Sequence, residues 1–476
     1  MDQPHPLPPE SVMHSLIDTF FGCKERAYSG IPESFFRQML EDGTLPRYML
    51  LAVLAAAVPL TTEPFYDDTK NEAAASYAQQ SWLSIIADGV TADALRIEAV
   101  RTLSVLVILD MGAGMVKAAL QKAEMMVEAA QKMKLLTEGP SCLSFVEQEE
   151  RRRFAWTLFI EDSMFTLGKS RPVPALQSDQ FTLQLPCDEE VFLAGEWQDT
   201  LTLNDLLIWD FPAGEELNPF CRLVLACSVL GRCTHYVYEG DRDQVPPWDE
   251  DSGYSRMFAL LLETKPHFRN SQRAIMKTFQ SSVATTKVDA GFDLFSYMIF
   301  HLCHCLTSHP FIARQHLKPF GLKRMPETFT ACLLDRANDH ARQLLDLLDP
   351  VSSIEVKDFK VRIHHAPYFT AVAGGILSLV ANIRTVEGHD DASDAAEYFS
   401  RSLEILQKFG RVLPAAVNIL SRLREFHAHH SRIFAASLDP ARDSYEIDSD
   451  TEQVLSIMLD QELVVEPIPQ SGSVFE

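Results

Sequence analysis

The sequence predicts an all-α fold: one large helical body followed by an acidic C-terminal tail. Three observations predict it. Apolar residues recur at helical spacing along most of the chain. No run of strict apolar–polar alternation marks a strand. Glycine is scarce, at 20 of 476 residues, which disfavours a turn-rich β architecture.

The clearest helices come in chain order. An apolar stretch over 95–109 is followed by Gly112 and Gly114, and then by Val116, Leu120, Ala123, Val127 and Ala130, which paint one face of a second helix. Lys117, Gln121, Glu124, Glu128 and Gln131 supply its other face, so the pair reads as an αα-hairpin. A helix over 145–167 carries Phe154, Leu158 and Phe165 on one side and Trp156, Ile160 and Leu167 on another. That much apolar circumference predicts a central, largely buried position. Further helices are expected over 218–238, 255–264, 270–284, 292–309, 327–348, 366–385, 392–409 and 412–435. Proline, glycine and acids mark loops over 61–71, 169–190, 239–253 and 386–394. No Ser/Gly/Pro linker interrupts the body. The expected organisation is a flexible 1–10, one helical domain over 11–435, and a flexible, disordered acidic tail over 436–476.

Charge and cysteine use narrow the function. Acids outnumber bases by 66 to 42, a net −24 that repels phosphate and argues against a nucleic-acid groove or an anionic membrane surface. Nine cysteines without any Cys-x-x-Cys predict reduced thiols in an intracellular compartment. The N-terminus has no basic and apolar leader pattern, and the apolar runs 48–60 and 368–381 are shorter than the ~18 residues of a membrane span, so a soluble protein is expected.

The tail has its own pattern. Residues 439–476 carry a net −9 with interspersed hydrophobics, among which Val454, Ile457 and Met458 share one helical face. Such a segment either docks in a partner's groove or, the favoured reading, is a solvated tail with one helical turn packing back on the body.

Several clusters invite chemistry. Cys221, Cys227 and Cys233 are spaced by six, which sends them in different directions on a helix, so core thiols are expected rather than zinc ligands. His301, His304 and Cys305 fall at i, i+3 and i+4, flanked by Cys303 and His309, and could share a face toward a soft metal. Their neighbours are those of a core helix, and buried structural histidines are the favoured reading. His427, His429 and His430 are expected to cap a helix end. The run Arg151, Arg152 and Arg153, following Glu147, Glu149 and Glu150, is expected to pair locally at i to i+4. Asp162, on an apolar helix, needs a partner: Arg171 is the first candidate, with Arg152 and Arg153 as alternatives. There is no Gly-x-Gly-x-x-Gly, no phosphate loop and no Gly-x-Ser-x-Gly elbow.

One stretch is more specific. The segment from Glu149 and Glu150 through Arg151, Arg152, Arg153 and Trp156 to Asp162 resembles the central motif of the fungal-specific transcription factor domain, the middle homology region of fungal zinc-cluster regulators. Gly168 with Arg171 and Pro172 resembles that family's Gly-Arg-Pro turn. Leu185, Pro186, Cys187, Asp188 and Glu189 resemble its Leu-Pro-Cys-Asp-Glu segment. Residues 16–21, 35–36 and 50–55 are similar to its opening helices, and 118–136 to its alanine-rich helix. The likeness is strong over 12–200 and looser over 200–435. Family members carry an N-terminal six-cysteine zinc cluster, whereas here only Cys23 precedes Cys142.

The resemblance implies a nuclear transcriptional regulator acting through an effector- or partner-binding domain, without a DNA-binding module in this chain. Its partners would be the transcription machinery or a DNA-binding protein, with a small-molecule effector and self-association also open. Zinc is expected only with a missing N-terminal cluster; no catalytic residue and no metal ligand is assigned. Three alternatives stand beside it: an incomplete reading of a full zinc-cluster factor, a helical metal-dependent enzyme built on 301–309, and a cytoplasmic interaction scaffold.

Overall fold

The computed structural model describes residues 5–22, 30–87, 96–208, 217–239, 245–268, 277, 284–312, 326–354, 363–387, 392–437 and 457–466. Within them the chain is all-α, without a strand; Gln184 and Thr202 make an isolated bridge. The helices are α1 (Glu10–Gly22), α2 (Glu33–Glu41), α3 (Arg47–Ala57), α4 (Lys70–Ala87), α5 (Ile97–Ala113), α6 (Val116–Lys132), α7 (Phe145–Met164), α8 (Glu189–Ala194), α9 (Leu203–Leu207), α10 (Pro219–Glu239), α11 (Gly253–Thr264), α12 (Ala284–Thr307), α13 (Glu327–Ser352), α14 (Ala366–Glu387), α15 (Ala392–Phe409), α16 (Pro414–Ser437) and α17 (Gln461–Val465). Apart from 284, the helix expected over 270–284 lies, but for residue 277, outside the described residues.

Local chemistry accounts for the boundaries. The α5–α6 hairpin turns at Gly114, which takes the left-handed conformation at φ 81° that closes α5. Helix α7 opens on a capping box: the Ser144 hydroxyl accepts from the Glu147 amide, and the Glu147 carboxylate accepts from the Ser144 amide.

Packing proceeds in two groups joined by α7. Helix α3 lies against α1, α4 and α5, and α5 against α6. In the second group α10 packs on α12, α12 on α13, α13 on α14, and α14 on α15 and α16. Helix α7 touches both α6 and α10. Trp156, Phe154, Leu158 and Ile160 are all buried on it, as the sequence predicts.

Helix α14 is largely enclosed. The segment Ala366–Thr385 is long and apolar enough to cross a membrane, a length the run 368–381 alone does not reach. It is nevertheless 89% buried within the protein, as a core helix is.

Within the tail, 457–466 is not disordered but packs back on the body, as the favoured sequence reading has one helical turn do. Met458, Leu459, Val464 and Val465 join the main hydrophobic core, and α17 lies against α16, α14 and α6. Ile457 and Met458, the candidate anchors for a partner's groove, are buried in their own chain. Val454 and the remainder of 438–476 lie outside the described residues.

Candidate functional site

The residues of the central motif converge on one structural task, holding 170–205 against α7. Glu149, fully buried, is the centre. It accepts from Arg152 (3.1 Å), from Arg153 (2.8 Å) and from the Cys187 amide (3.0 Å). Arg152, itself 2% exposed, forks onto Glu138 at 3.2 and 3.1 Å and reaches Gln184. Arg153 pairs with Glu189, donates to the Cys187 carbonyl (3.0 Å), and lies 4.2 Å over the Phe192 ring. Burial opposes its charge, yet Glu189 and Glu149 outweigh burial and hold the guanidinium more firmly protonated than usual. Arg151 instead caps α6, donating to the Met133 and Lys134 carbonyls.

The local i to i+4 pairing expected for the arginines is therefore one part of a longer network. Glu138, Gln184 and Glu189 complete it from segments that sequence spacing does not connect. Glu150 is half-buried beside Arg101, its carboxyl pushed up by burial.

The other motif positions follow suit. Trp156 is fully buried; its indole donates to the Gln184 carbonyl (2.8 Å) and stacks on Phe181. Asp162 pairs with Arg171, the first candidate, and accepts from the Leu176 amide (2.8 Å). The Pro172 carbonyl accepts from Thr234 (3.2 Å) and the Pro186 carbonyl from Asn218 (2.9 Å). Burial pushes the Cys187 thiol up to about 12, so it is an inert core group. Asp188, exposed at the start of α8, binds Gln198. Gly168 lies against Glu462 of the docked segment, where an added Cβ would meet Oε1 at 2.2 Å.

His301, His304 and His309 are buried, and the first two pack on one partner ring. His301 meets His340 of α13 through their Nδ1 atoms at 2.8 Å, and His304 stacks on His340 at 3.8 Å. Stacked rings cannot aim their nitrogens at one ion. Burial pushes His301 down to about 4 and His309 to about 3; burial and the neighbouring His301 push His304 to about 3. Cys305 is fully buried, as are Cys227 and Cys233. His427 is not a cap, because α16 runs on to Ser437. It hydrogen-bonds Ser378 (2.8 Å) and stacks on Phe399.

A cleft of about 410 Å³ opens beside the motif, between α7, the 173–178 turn, α10 and α11. Phe159, Leu176, Cys227, Tyr236 and Met257 supply apolar walls, while Arg232, His235 and Arg256 bring cationic or titratable groups to it. No sequence signal pointed here, since its walls come from four separate segments.

The same α10 also grips the C-terminal segment. Tyr238 and Tyr368 both donate to the Leu459 carbonyl, at 2.5 and 2.7 Å. Asn418 donates to the Val465 carbonyl (3.2 Å) and Arg422 to that of Glu466 (3.1 Å), while Lys117 pairs with the Glu466 carboxylate (3.1 Å).

A family model described as the fungal specific transcription factor domain matches residues 31–274. The chain belongs to this family. The fungal specific transcription factor domain is a regulatory module of transcription factors and not a class of enzyme.

Three relatives come from Fusarium oxysporum f. sp. lycopersici. The Zn(2)-C6 fungal-type transcription factor FTF1c is 27% identical over 273 residues, covering 52% of this chain and 29% of that protein. FTF2 is 26% identical over 365 residues, covering 72% and 33%. FTF1a is 26% identical over 275 residues, covering 52% and 25%. The chain thus spans a third or less of the curated relatives it matches.

Proposed function

We propose that this chain is the regulatory part of a fungal zinc-cluster-type regulator, in which the cleft beside α7 receives a small amphipathic anion and reports its presence through α10. The observation that carries this reading is the double use of α10. Cys227, Gly231 and Tyr236 line the cleft, and Tyr238, two residues beyond Tyr236 on the same helix, holds the Leu459 carbonyl of the docked segment. The cleft volume lies within the ordinary range for small-molecule sites, and arginines with apolar walls suit a carboxylate on an apolar body. An effector acts only through different affinity for two arrangements of the protein. Here the two are a segment seated on the body and a segment released to the transcription machinery or a DNA-binding partner in the nucleus. On this reading the domain runs from 11 to 435 and includes 457–466.

The test uses the full chain tethered to DNA through a foreign DNA-binding domain, with a reporter gene. Ser228→Phe fills the cleft and Tyr238→Phe cuts one of the two hydrogen bonds to Leu459. Both variants, checked for wild-type circular dichroism, are expected to change reporter output. Wild-type output from both folded variants would refute the reading.

A further inference from the structure

A second cluster lies between α7 and the turn that leads into α14. Glu161 is on α7, next to the Arg171-paired Asp162, and is 1% exposed. His364 and His365 belong to the 3-10 turn Ile363–His365 that leads into α14, and are 6% and 1% exposed. One donor atom from each of the three lies within 4.8 Å of the other two. Ligand atoms bound at ~2.0–2.2 Å around a tetrahedral ion stand roughly 3.3–3.5 Å apart, so side-chain rotation of about 1 Å closes the set. The His364 and His365 rings are tilted at 47° rather than stacked, so their nitrogens can converge.

The geometry points to a divalent transition-metal site formed by Glu161, His364 and His365, with Gln461 of the docked segment as the outer partner of His365. Two imidazoles and one carboxylate are a zinc-type donor set, leaving a fourth position for water. A metal-bound histidine is normally oriented by a hydrogen bond at its other ring nitrogen. Gln461 Nε2 stands 3.0 Å from His365 Nδ1 and donates to it; with the metal on His365 Nε2, a half-turn of that amide brings its oxygen to accept from Nδ1–H. Metal occupancy and the seating of 457–466 are then thermodynamically linked, each favouring the other. This inference is independent of the cleft: its failure leaves the effector reading untouched.

The full chain is stripped with a chelator and titrated with Co²⁺ and with Zn²⁺, using absorption and bound-metal analysis. The expected result is one equivalent per chain, with a ligand-field spectrum lacking thiolate charge transfer. Glu161→Gln, nearly the same size, is expected to weaken binding more than tenfold. Gln461→Leu is expected to weaken it ~10–100-fold as an outer-shell change, and added zinc should slow proteolysis within 457–466. Failure of the folded wild-type chain to take up one equivalent overturns the site without recourse to any variant. So does binding that survives Glu161→Gln unchanged, or that carries thiolate absorption from the cysteines.

Discussion

Removing the carboxylate of Asp162 tests whether the motif helix is held by a buried ion pair. The Asp162 side chain is 0% exposed and that of Arg171 is 15% exposed. Asp162→Ala leaves the guanidinium enclosed without its counter-charge, a loss of roughly 3–5 kcal/mol. It also takes the acceptor from the Leu176 amide. Asp162→Asn keeps an oxygen for that amide, so the two variants should differ by about 1 kcal/mol, the worth of one hydrogen bond. Arg171→Met alone should be comparably costly, whereas the Asp162→Asn/Arg171→Met pair should fall short of the summed losses by about 1–3 kcal/mol, as coupled neighbours do. Urea denaturation followed by far-ultraviolet circular dichroism reads all four proteins. A loss below about 0.5 kcal/mol for Asp162→Ala, the range of surface changes, or strict additivity in the double variant, refutes the reasoning.

The buried histidines make stability sensitive to acid. His301, pushed down to about 4, and His309, pushed to about 3, both sit below the ordinary 6.5, so the unfolded chain binds more protons between those values. Stability is therefore full above about pH 7 and falls as pH drops through 6.5, by about 2 kcal/mol per imidazole at pH 5. His309→Asn should flatten the decline by about that amount, and a pH-independent melting temperature between 7 and 5 would contradict it. Gly168→Ala drives a Cβ into Glu462, at 2.2 Å from Oε1 and 2.7 Å from Cγ, and should loosen 457–466 at a cost of about 1–3 kcal/mol. Glu462→Ala in the same chain should restore protease resistance; an unaltered single variant would show that the contact is slack. With a net charge of −24, the isolated chain should bind duplex DNA no better than a generic acidic protein, and tight sequence-dependent binding at physiological salt would overturn that expectation.

Local order was legible before any coordinates. The repeat from Val116 to Ala130 and the glycines before it foretold the α5–α6 hairpin. The apolar circumference of 145–167 foretold a buried α7, and the apolar neighbours of Asp162 called for a partner, of which Arg171 was the first candidate beside Arg152 and Arg153. The two helical readings rest on residues within a few turns of one another, where periodicity alone sets the geometry, whereas Arg171 lies past the end of α7. The order of the motifs was enough to suggest the family. The roles inside the motif were not: Glu149 gathers Arg152, Arg153 and the Cys187 amide only because α7 and the 170–205 segment pack face to face.

What only the tertiary structure decided is which distant segments meet. His340 packs into the buried histidines of α12 by stacking on His304, and no spacing rule connects 304 with 340. Glu161, His364 and His365 come together because α7 and the turn before α14 share one interior. The tail shows the division most directly. The apolar run Ile457, Met458 and Leu459 within an acidic stretch left two outcomes open from sequence alone, a partner's groove or a turn packed back on the body. Which seat it takes could not be read there, because pattern encodes amphipathicity and not the complementary surface. The structure places that seat on the chain's own body, where the linking residues keep the effective concentration high and the Leu459 carbonyl finds Tyr238 and Tyr368 waiting.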